Sequence, residues 1–385
     1  MLELHEADGA FERIESWLRD QGFFASGGEA LVADLFLGYG LSDVIRRHTS
    51  PAPPEPCPIP LAACAIRRVR QSDVSDDNNR DHDMRPDGSD HVEVGDWRRS
   101  WAPEDHAAAV DAVRDAIARG DVYQVNLAQH LSAPFAGTPR ALAARLVPLT
   151  QFSDLPFADT RWRLFEGNGW AIVSATPELF LARRGDTVWT MPIKGTRPLG
   201  RRAELVASAK DAAEHMMIVD LERNDLSRVC EPGSVRWPEL MTPRSLAGVE
   251  HLVSRVEGRL RHGIGLADLL HATFPGGSIT GAPKIAAVDL IAELEPVGRG
   301  ASMGALGRVH GNGDLELALA IRTFAVAERT LHLWVGGGIV WDSNPLEEVE
   351  ESLAKAAPLL AAIGAPLEVG LEASYERRSL TRGRT

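Results

Sequence analysis

The sequence predicts an α+β fold in which strands joined by short turns are interspersed with helices. Residues 311–314, GNGD, are typical of a tight hairpin turn. The segments LELALAIRTFAV (315–326) and TLHLWVGGGIVW (330–341) predict two neighbouring strands, also joined by a short turn. The predicted helices do not alternate regularly with the predicted strands, which argues against a regular βαβ repeat.

Pro and Gly mark the limits of the predicted helices, and apolar alternation marks the strands. The predicted elements are, in chain order, a helix at 103–120, strands at 121–131, 170–175, 178–184 and 187–191, and a helix at 203–222. The last helix is predicted to start at Asn344 as N-cap, with Pro345 at its first position and Glu347 completing a capping box.

Composition divides the chain into three parts. Residues 1–100 are a shortened N-terminal portion with a Pro-rich stretch (50–60) and an Asp-rich, solvated loop (72–96). Residues 101–365 are continuously patterned and form the main domain. Residues 366–385 are the tail, whose last part, 376–385, is basic, has no apolar face and is expected to be frayed.

The overall composition excludes several classes of protein. The chain has 385 residues, with 41 Lys and Arg against 54 Asp and Glu, so its net charge is −13. This charge argues against nucleic-acid binding, which needs a basic surface. No apolar run reaches the roughly 18 residues that span a bilayer, and the N-terminus has no signal-peptide pattern. We therefore expect a soluble cytoplasmic protein that binds neither nucleic acid nor membrane.

Two predicted helices each carry two carboxylates three residues apart, which places both on one helix face. The pairs are Asp211 with Glu214 and Glu348 with Glu351, with Lys355 one turn beyond. A solvated acidic helix is the ordinary interpretation of such a pair. If the two pairs faced each other, they would repel unless a cation lay between them, and oxygen ligands suit Mg²⁺.

Three segments are candidates for binding a carboxylate ligand. The Gly-rich loop at 273–284 lacks the Lys-Ser/Thr of a phosphate loop, and it is either an ordinary loop or a nest of backbone N–H groups. Arg322 lies on a predicted strand beside two small alanines, which leaves room for bidentate carboxylate capture; a surface arginine is the alternative. Gly336, Gly337 and Gly338 indicate either close approach of the backbone to a ligand or a bulge.

Lysine is scarce in this chain. Only four of the 41 basic residues are lysines, namely Lys194, Lys210, Lys284 and Lys355. Nucleotide bias explains the scarcity, but a position that keeps Lys is a candidate for an amine that must lose its proton. Lys194 lies in MPIKGTRP, where prolines stiffen the backbone and Gly195 permits an unusual dihedral angle. A lysine in such a rigid loop is suited to act as a nucleophile, with a surface lysine as the alternative.

Together these segments resemble the chorismate-utilising enzymes, a family that includes component I of anthranilate synthase and of aminodeoxychorismate synthase, and the isochorismate and salicylate synthases. The resemblance covers residues 101–363. The motifs that carry it occur in family order: DVYQVNLAQ, ATPELF, MPIKGT, AKDAAEHMMIVDLERND, EHLVS, FPGGSITGAPK, AIRT and GGGIV. The resemblance implies a four-layer αββα sandwich with the active site between its sheets, and a requirement for Mg²⁺.

Two positions indicate which reaction the resemblance implies. Isochorismate and salicylate synthases have a water-activating Lys where this chain has Gln124, which is typical of the ammonia-using members. Anthranilate synthases have PIAGT where this chain has Lys194 in PIKGT, the form typical of aminodeoxychorismate synthases. There the Lys adds to C2 of chorismate as the C4 hydroxyl leaves, and ammonia then attacks C4. The implied product is 4-amino-4-deoxychorismate, a precursor of 4-aminobenzoate and folate.

The resemblance also implies roles for individual residues. Glu178 matches the acid/base carboxylate, and His251 matches the histidine near the departing hydroxyl. Glu214 and Glu351 match the Mg²⁺ ligands, and Glu348 matches a carboxylate that reaches the metal through water. The matching substrate-binding positions are Gln124, Thr280, Arg322, Gly336, Gly337, Gly338 and Lys355.

The chain departs from the family pattern at Arg308, where the family often has Tyr, and in its shorter N-terminal portion. It also lacks the Cys–His pairing of a glutaminase, so the resemblance implies a separate glutamine amidotransferase subunit that supplies ammonia. Two alternatives are an anthranilate synthase component I and a catalytically idle subunit of the same fold. An idle subunit is expected to show decay of the acidic and Lys motifs, which are intact here.

Overall fold

The structure is a computed structural model that describes residues 1–25, 30–47, 51–68, 91–150, 163–246 and 249–366. Its α-helices are α1 (Ala10–Asp20), α2 (Pro103–Arg119), α3 (Pro139–Leu146), α4 (Arg202–Ala207), α5 (Ala209–Ser227), α6 (Leu266–Thr273), α7 (Lys284–Leu294) and α8 (Pro345–Ala362). Its strands are β1 (Leu2–Leu4), β2 (Leu31–Leu37), β3 (Ala62–Arg68), β4 (Val92–Val94), β5 (Arg98–Arg99), β6 (Gln124–Gly137), β7 (Leu164–Glu166), β8 (Trp170–Ser174), β9 (Leu179–Arg184), β10 (Thr187–Met191), β11 (Ile193–Pro198), β12 (Arg236–Leu246), β13 (Val249–Arg259), β14 (Gly281–Ala282), β15 (Ala305–His310), β16 (Leu315–Leu319), β17 (Thr323–Ala327) and β18 (Thr330–Ile339).

The described strands form two sheets. The 10-stranded sheet has the order β1-β3-β2-β15-β16-β9-β10-β13-β11, and β12 pairs with β13. The 8-stranded sheet has the order β14-β6-β18-β17-β8-β7, and both β4 and β5 pair with β6. The hairpin predicted at 311–314 is confirmed, because β15 pairs with β16 and Gly313 has a φ of 91°.

The sheets lie face to face between two layers of helices. On the outer face of the larger sheet, Leu35 and Leu317 belong to a core that includes side chains of α1, α5 and α6. On the outer face of the smaller sheet, Leu131 packs with side chains of α3 and α8. Between the sheets, Phe36 of β2 clusters with Trp334 of β18. The predicted α+β class and four-layer αββα sandwich are confirmed.

The single helix predicted at 203–222 is in fact two helices, α4 and α5. Ser208 separates them with non-helical backbone angles (φ −75°, ψ 105°). Its hydroxyl oxygen accepts a hydrogen bond of 3.2 Å from the backbone N–H of Asp211, so Ser208 is the N-cap of α5. The predicted N-cap of the last helix is confirmed, because the Asn344 side chain accepts two backbone hydrogen bonds at the start of α8.

The prediction of one strand over 315–326 is wrong. The chain leaves the larger sheet after β16 and enters the smaller sheet at β17, where β17 pairs with β8 and β18. Arg322 lies in this crossover with a φ of 50°, so it is not on a strand. The crossover places Arg322 between the two sheets.

Lys194 lies on a strand and not in the predicted loop. β11 pairs with β13, and Lys194 is opposite Leu252 in this pairing. The prediction for Gly195 is confirmed, because its φ is 65°, a value that favours glycine. The Lys194 backbone is therefore fixed by strand pairing as well as by its flanking prolines.

The N-terminal portion contributes β1, β2 and β3 to the larger sheet, so it packs as part of the sandwich. The division of the chain at residue 100 stays a prediction. Residues 72–90 of the predicted Asp-rich loop (72–96) and the tail from 367 lie outside the described residues. Within the described part of that loop, 92–94 form a strand. Among the described residues, no helix has the length and apolar composition needed to cross a bilayer.

A buried charged cluster links the smaller sheet to two neighbouring segments of the chain. The Arg299 side chain is 1% exposed and donates two hydrogen bonds to the Glu295 carboxylate, of 2.6 and 2.8 Å. It also donates to the carbonyl oxygens of Ile279 (2.8 Å) and Asn126 (2.7 Å), and its guanidinium lies 4.5 Å from the ring centroid of Tyr39. One side chain thus ties the smaller sheet, the loop before β14 and the N-terminal portion together.

We expect Arg299→Met to destabilise the fold by about 3–5 kcal/mol, because it leaves the buried Glu295 carboxylate without its partner. The free energy of unfolding from urea denaturation measures this effect. Arg201→Met is the matched control, since the Arg201–Glu204 pair is exposed and is expected to contribute less than about 1 kcal/mol. Equal losses in the two variants would contradict a central role for Arg299.

Candidate active site

Lys194 lies at the centre of a polar cluster between the sheets. Its Nζ atom is 3.0 Å from Oε1 of Glu214 on α5 and donates a 3.3 Å hydrogen bond to the carbonyl oxygen of Ser278. The side chain is 14% exposed. The amine predicted from sequence is therefore held inside the protein, and the surface-lysine interpretation is wrong.

Gln124 and Glu214, both predicted site residues, are in direct contact. Nε2 of Gln124 donates a 3.0 Å hydrogen bond to Oε1 of Glu214, the oxygen that also pairs with Lys194. Burial alone would raise the pKa of Glu214, but the Lys194 ammonium and these hydrogen bonds hold the pKa below its ordinary value. Glu214 is thus a charged carboxylate at neutral pH.

Glu178 precedes β9 and is buried, with 6% of its surface exposed. The Ser278 hydroxyl donates a 2.6 Å hydrogen bond to Oε1 of Glu178. Burial raises the pKa of Glu178 above its ordinary value, although the hydrogen bond from Ser278 and the charge of Lys194 act in the opposite direction. A carboxyl group with a raised pKa can both give and take a proton near neutral pH.

His251 and Arg322 face the same buried region. Nδ1 of His251 lies 2.8 Å from the carbonyl oxygen of Gly195 and donates to it. Burial lowers the pKa of His251 to about 4, so its ring is neutral and Nε2 is left as an acceptor. Burial also lowers the pKa of Arg322, while the negative charge of Glu178 opposes that shift.

Two buried polar atoms of this cluster have no hydrogen-bond partner in the described part of the chain, namely Oε1 of Gln124 and Nε2 of His251. Buried polar atoms are nearly always satisfied in folded proteins. Their presence on two predicted site residues indicates a place prepared for a polar ligand.

The glycines of β18 leave space for this cluster. A Cβ atom on Gly338 would overlap the Gln124 amide and lie 3.0 Å from Oε1 of Glu214. A Cβ atom on Gly337 would lie 3.2 Å from Nζ of Lys355 and 3.3 Å from Oε2 of Glu348. Because these glycines have no side chains, the side chains of α5 and α8 can come close to the backbone of β18.

Lys355 and the acidic residues of α8 lie along this strand. Nζ of Lys355 donates a 3.0 Å hydrogen bond to the carbonyl oxygen of Gly336 and pairs with Glu351 at 2.9 Å. Glu348 accepts a 2.6 Å hydrogen bond from the Ser343 hydroxyl. Burial raises the pKa of Glu348, the Ser343 hydrogen bond lowers it, and the charge of Glu351 raises it further.

These carboxylates fit a Mg²⁺ ion in their chemistry. Burial is the main cause of the raised pKa of Glu348, and it disfavours the charged carboxylate unless a cation is near. As placed, however, no three His, Cys, Asp or Glu side chains among the described residues are grouped closely enough to hold a metal. Glu351 is 58% exposed, and Glu214 is held by Lys194. A metal bound by these carboxylates would compete with Lys194 and Lys355 for their charge.

Two predicted positions, Thr280 and Arg308, have polar groups that are bonded within the protein. The Thr280 hydroxyl is fully buried and donates a 2.9 Å hydrogen bond to the carbonyl oxygen of Gly276, so it braces its own loop. Arg308, the departure from the family pattern, donates a 3.2 Å hydrogen bond to Asp34 across the pairing of β15 with β2. The ligand-binding roles of the predicted residues stay predictions, since the structure tests only their placement.

Ser278 is the site residue that sequence reasoning missed. It contacts Glu178 through its hydroxyl and Lys194 through its carbonyl oxygen. The only signal was a polar side chain inside the Gly-rich segment FPGGSITGAPK, which the sequence also explains as an ordinary loop residue.

The model of a family described as chorismate binding enzyme matches residues 62–361. The chain belongs to this family. It is 40% identical over 283 residues to anthranilate synthase component 1 of Streptomyces coelicolor, a match that covers 71% of this chain and 54% of that protein. It is also 40% identical over 272 residues to aminodeoxychorismate synthase component 1 of Klebsiella aerogenes, covering 69% of this chain and 59% of that protein.

The fold of this chain matches that of a solved relative. The crystal structure of anthranilate synthase component I from Streptococcus pneumoniae superposes with a TM-score of 0.74 at 26% identity, covering 89% of this chain and 84% of that one. The matches to the two proteins above span little more than half of their lengths. Identity alone does not distinguish the two named activities, because both relatives match at 40%.

We expect Gly338→Ala to abolish binding of chorismate, because the added Cβ displaces Gln124 and crowds Glu214. Gly337→Ala is the matched comparison and is expected to weaken binding less, since its Cβ meets only the ends of two longer side chains. Isothermal titration calorimetry with chorismate measures both effects, and thermal unfolding checks that the variants fold. Equal binding by Gly338→Ala and the wild type would place the ligand elsewhere.

Proposed function

We propose that the chain aminates chorismate at C4 with ammonia and forms 4-amino-4-deoxychorismate, as an aminodeoxychorismate synthase component I. The observation that carries this proposal is the position of Lys194. Its amine is held inside the site beside Glu214. Ser278 links the amine to Glu178, because its carbonyl oxygen accepts from Lys194 and its hydroxyl donates to Glu178. An amine so placed is suited to attack a bound ring.

The proposed reaction balances as two displacements. Nζ of Lys194 forms a bond to C2 of chorismate, both ring double bonds shift by one position towards C4, and the C4–O bond breaks. Ammonia then forms a bond to C4, both double bonds shift back, and the C2–Nζ bond breaks. The departing hydroxyl takes up one proton and leaves as water, and the new ammonium group loses one, so no net proton is consumed.

Glu178 is the better candidate to protonate the departing hydroxyl. Burial raises its pKa above the ordinary carboxyl value, which favours the protonated form that a general acid needs. The neutral ring of His251 uses its N–H to bind the carbonyl oxygen of Gly195, so its Nε2 atom accepts a hydrogen bond and holds the hydroxyl in place. Arg322 and Lys355 supply the positive charges that suit the substrate carboxylates.

Glu214, Glu348 and Glu351 are the residues that would hold Mg²⁺. The ion would neutralise their charge and that of a substrate carboxylate, so that the anionic substrate can enter an acidic site. The chain's own contribution is to place two of these carboxylates beside the glycines of β18.

Ammonia is proposed to come from a glutamine amidotransferase subunit. Glutamine hydrolysis by a cysteine needs an activated thiolate. Burial raises the pKa of both Cys57 and Cys64 to about 12 and that of Cys230 to about 11, so none of the three cysteines is suited to that chemistry. The chain alone is therefore expected to use free ammonium and not glutamine.

We expect Lys194→Ala to bind chorismate but to form aminodeoxychorismate at least about a hundredfold more slowly, a loss of about 2.7 kcal/mol of transition-state stabilisation. Lys194→Arg is the matched control, because it keeps a positive charge beside Glu214 but cannot lose its proton, and it is expected to be nearly as slow. Product analysis with chorismate and ammonium, and intact-protein mass spectrometry for an adduct, measure the effect. If the wild type forms anthranilate, the alternative activity is correct and this proposal is wrong.

We expect Glu351→Gln to raise the Mg²⁺ concentration that gives half-maximal turnover by about tenfold or more, because it removes one charged oxygen ligand. Calorimetric titration with Mg²⁺ measures the same loss without turnover. Glu350→Gln, on an exposed neighbour in α8, is the control and is expected to leave the Mg²⁺ dependence unchanged. An unchanged dependence in Glu351→Gln would remove this residue from the metal site.

A further inference from the structure

The segment between α6 and β14 carries Ser278 and is held by hydrogen bonds to other parts of the chain. The guanidinium of Arg299 donates a 2.8 Å hydrogen bond to the carbonyl oxygen of Ile279. The backbone N–H of Asn126, on β6, donates a 2.7 Å hydrogen bond to the carbonyl oxygen of Thr280. These contacts fix the backbone directly after Ser278.

The two glycines before Ser278 pack closely against neighbouring elements. A Cβ atom on Gly276 would lie 2.9 Å from the Leu319 side chain of β16, and one on Gly277 would lie 2.9 Å from the Leu221 side chain of α5. Both distances are shorter than an ordinary van der Waals contact, so no side chain fits there. Ser278 itself is 6% exposed. Its position is therefore set by packing on one side and by hydrogen bonds on the other.

Ser278 contacts two residues of the proposed reaction. Its hydroxyl donates a 2.6 Å hydrogen bond to Oε1 of Glu178, which lies just before β9. Its carbonyl oxygen accepts a 3.3 Å hydrogen bond from Nζ of Lys194 on β11. Because both contacts come from one residue whose own position is fixed, they set the acid and the amine relative to each other.

The hydroxyl contact orients the proton of Glu178. A protonated carboxyl group accepts hydrogen bonds mainly at its carbonyl oxygen, so a hydrogen bond accepted by Oε1 leaves the proton on Oε2. Once that proton has been given away, the hydrogen bond from Ser278 is to a charged carboxylate, and such a bond is shorter and about twice as strong. The contact therefore favours the state that follows proton transfer, which helps the transfer itself.

The carbonyl contact orients the amine of Lys194. A deprotonated amine keeps two N–H groups and one lone pair. A hydrogen bond from one N–H group to the carbonyl oxygen of Ser278 restricts the directions in which the lone pair can point. This contact needs no positive charge on the amine, so it is retained in the form that acts as a nucleophile.

We propose that Ser278 is a positioning residue that presents the proton of Glu178 and the amine of Lys194 to the same substrate molecule. The inference rests on the proposed function, in which Glu178 protonates the departing hydroxyl and Lys194 attacks the ring. The O–H bond at Oε2 of Glu178 breaks as its proton passes to the departing hydroxyl, and the C4–O bond breaks. Ser278 keeps its own proton throughout.

The groups around Glu178 determine how the hydroxyl contact responds to pH. Burial raises the pKa of Glu178, whereas the hydrogen bond from Ser278 and the charges of Lys194 and Arg322 lower it. Glu222 of α5 also interacts electrostatically with Glu178. Ser278→Ala leaves all of these charged groups in place, so the loss of the hydroxyl is expected to raise the pKa of Glu178 further.

Thermal unfolding of the wild type and Ser278→Ala at pH 5 to 8 tests this contact without turnover. Between the unfolded pKa of Glu178, near 4.5, and its higher folded pKa, only the unfolded chain releases the proton, so stability falls as pH rises. The fall continues to higher pH in Ser278→Ala. Its melting temperature is therefore expected to lie further below that of the wild type at pH 8 than at pH 5, by about 1 °C or more.

The matched control for this measurement is the same substitution in a Glu178→Gln background, where its effect is expected not to change with pH. A deficit of Ser278→Ala that is independent of pH in the wild-type background overturns the inference.

Turnover of chorismate and ammonium tests the positioning itself. Ser278→Ala is expected to lower kcat by about tenfold or more and to leave KM nearly unchanged, because the hydroxyl binds the acid and not the substrate. Ser278→Cys fills the same space with a weak hydrogen-bond donor, and it is expected to be about as slow as Ser278→Ala. Ser302→Ala removes another buried hydroxyl, one that binds the carbonyl oxygen of Ala320, and is expected to match the wild type.

Wild-type kcat in Ser278→Ala overturns the inference, and so does wild-type kcat in Ser278→Cys, since the loss in Ser278→Ala would then come from lost packing. A wild type that forms anthranilate or no product refutes the proposed function instead, and the unfolding measurement still decides whether Ser278 controls Glu178.

Discussion

The buried ion pair between Glu295 and Arg299 holds the parts of the active site in register. Both side chains are almost inaccessible, at 2% and 1% exposed, so their desolvation is offset only when every hydrogen bond is made. The Glu295 carboxylate accepts from the backbone N–H of Ala128, and the guanidinium binds the carbonyl oxygens of Ile279 and Asn126. The strand that begins at Gln124 and the loop that carries Ser278 are thereby fixed to one another, and the position of the Lys194 contacts depends on that loop.

Local sequence patterns predicted the elements whose limits are set locally. Asn344 caps α8 and Pro103 begins α2 because capping and fixed φ angles act within one turn. The failures occur where tertiary structure decides. The apolar pattern from 315 to 326 reads as one strand, yet the chain changes sheets at Arg322, since each half finds its hydrogen-bond partners in a different sheet.

The site residues that could be predicted are those whose residue type suits the chemistry and which also lie in a family motif. Gln124, Lys194 and Glu214 were each singled out from sequence, and their mutual contacts follow from the fold. Ser278 was not singled out, because a serine in a loop has an ordinary explanation. What makes it notable is its burial beside Glu178, and this burial depends on the packing of α5 against the loop before β14.

The central contact of the site, Lys194 with Glu214, also constrains the order of events in the proposed reaction. Oε1 of Glu214 lies 3.0 Å from both the Lys194 ammonium and the Gln124 amide, so this oxygen is fully engaged. Lys194 cannot neutralise Glu214 and present a free amine to a ring at the same time. A cation bound by Glu214 would compete with the Lys194 ammonium for the charge of this carboxylate, so cation binding and release of the amine would be linked. In the proposed reaction, filling the acidic site would therefore help to free the nucleophile.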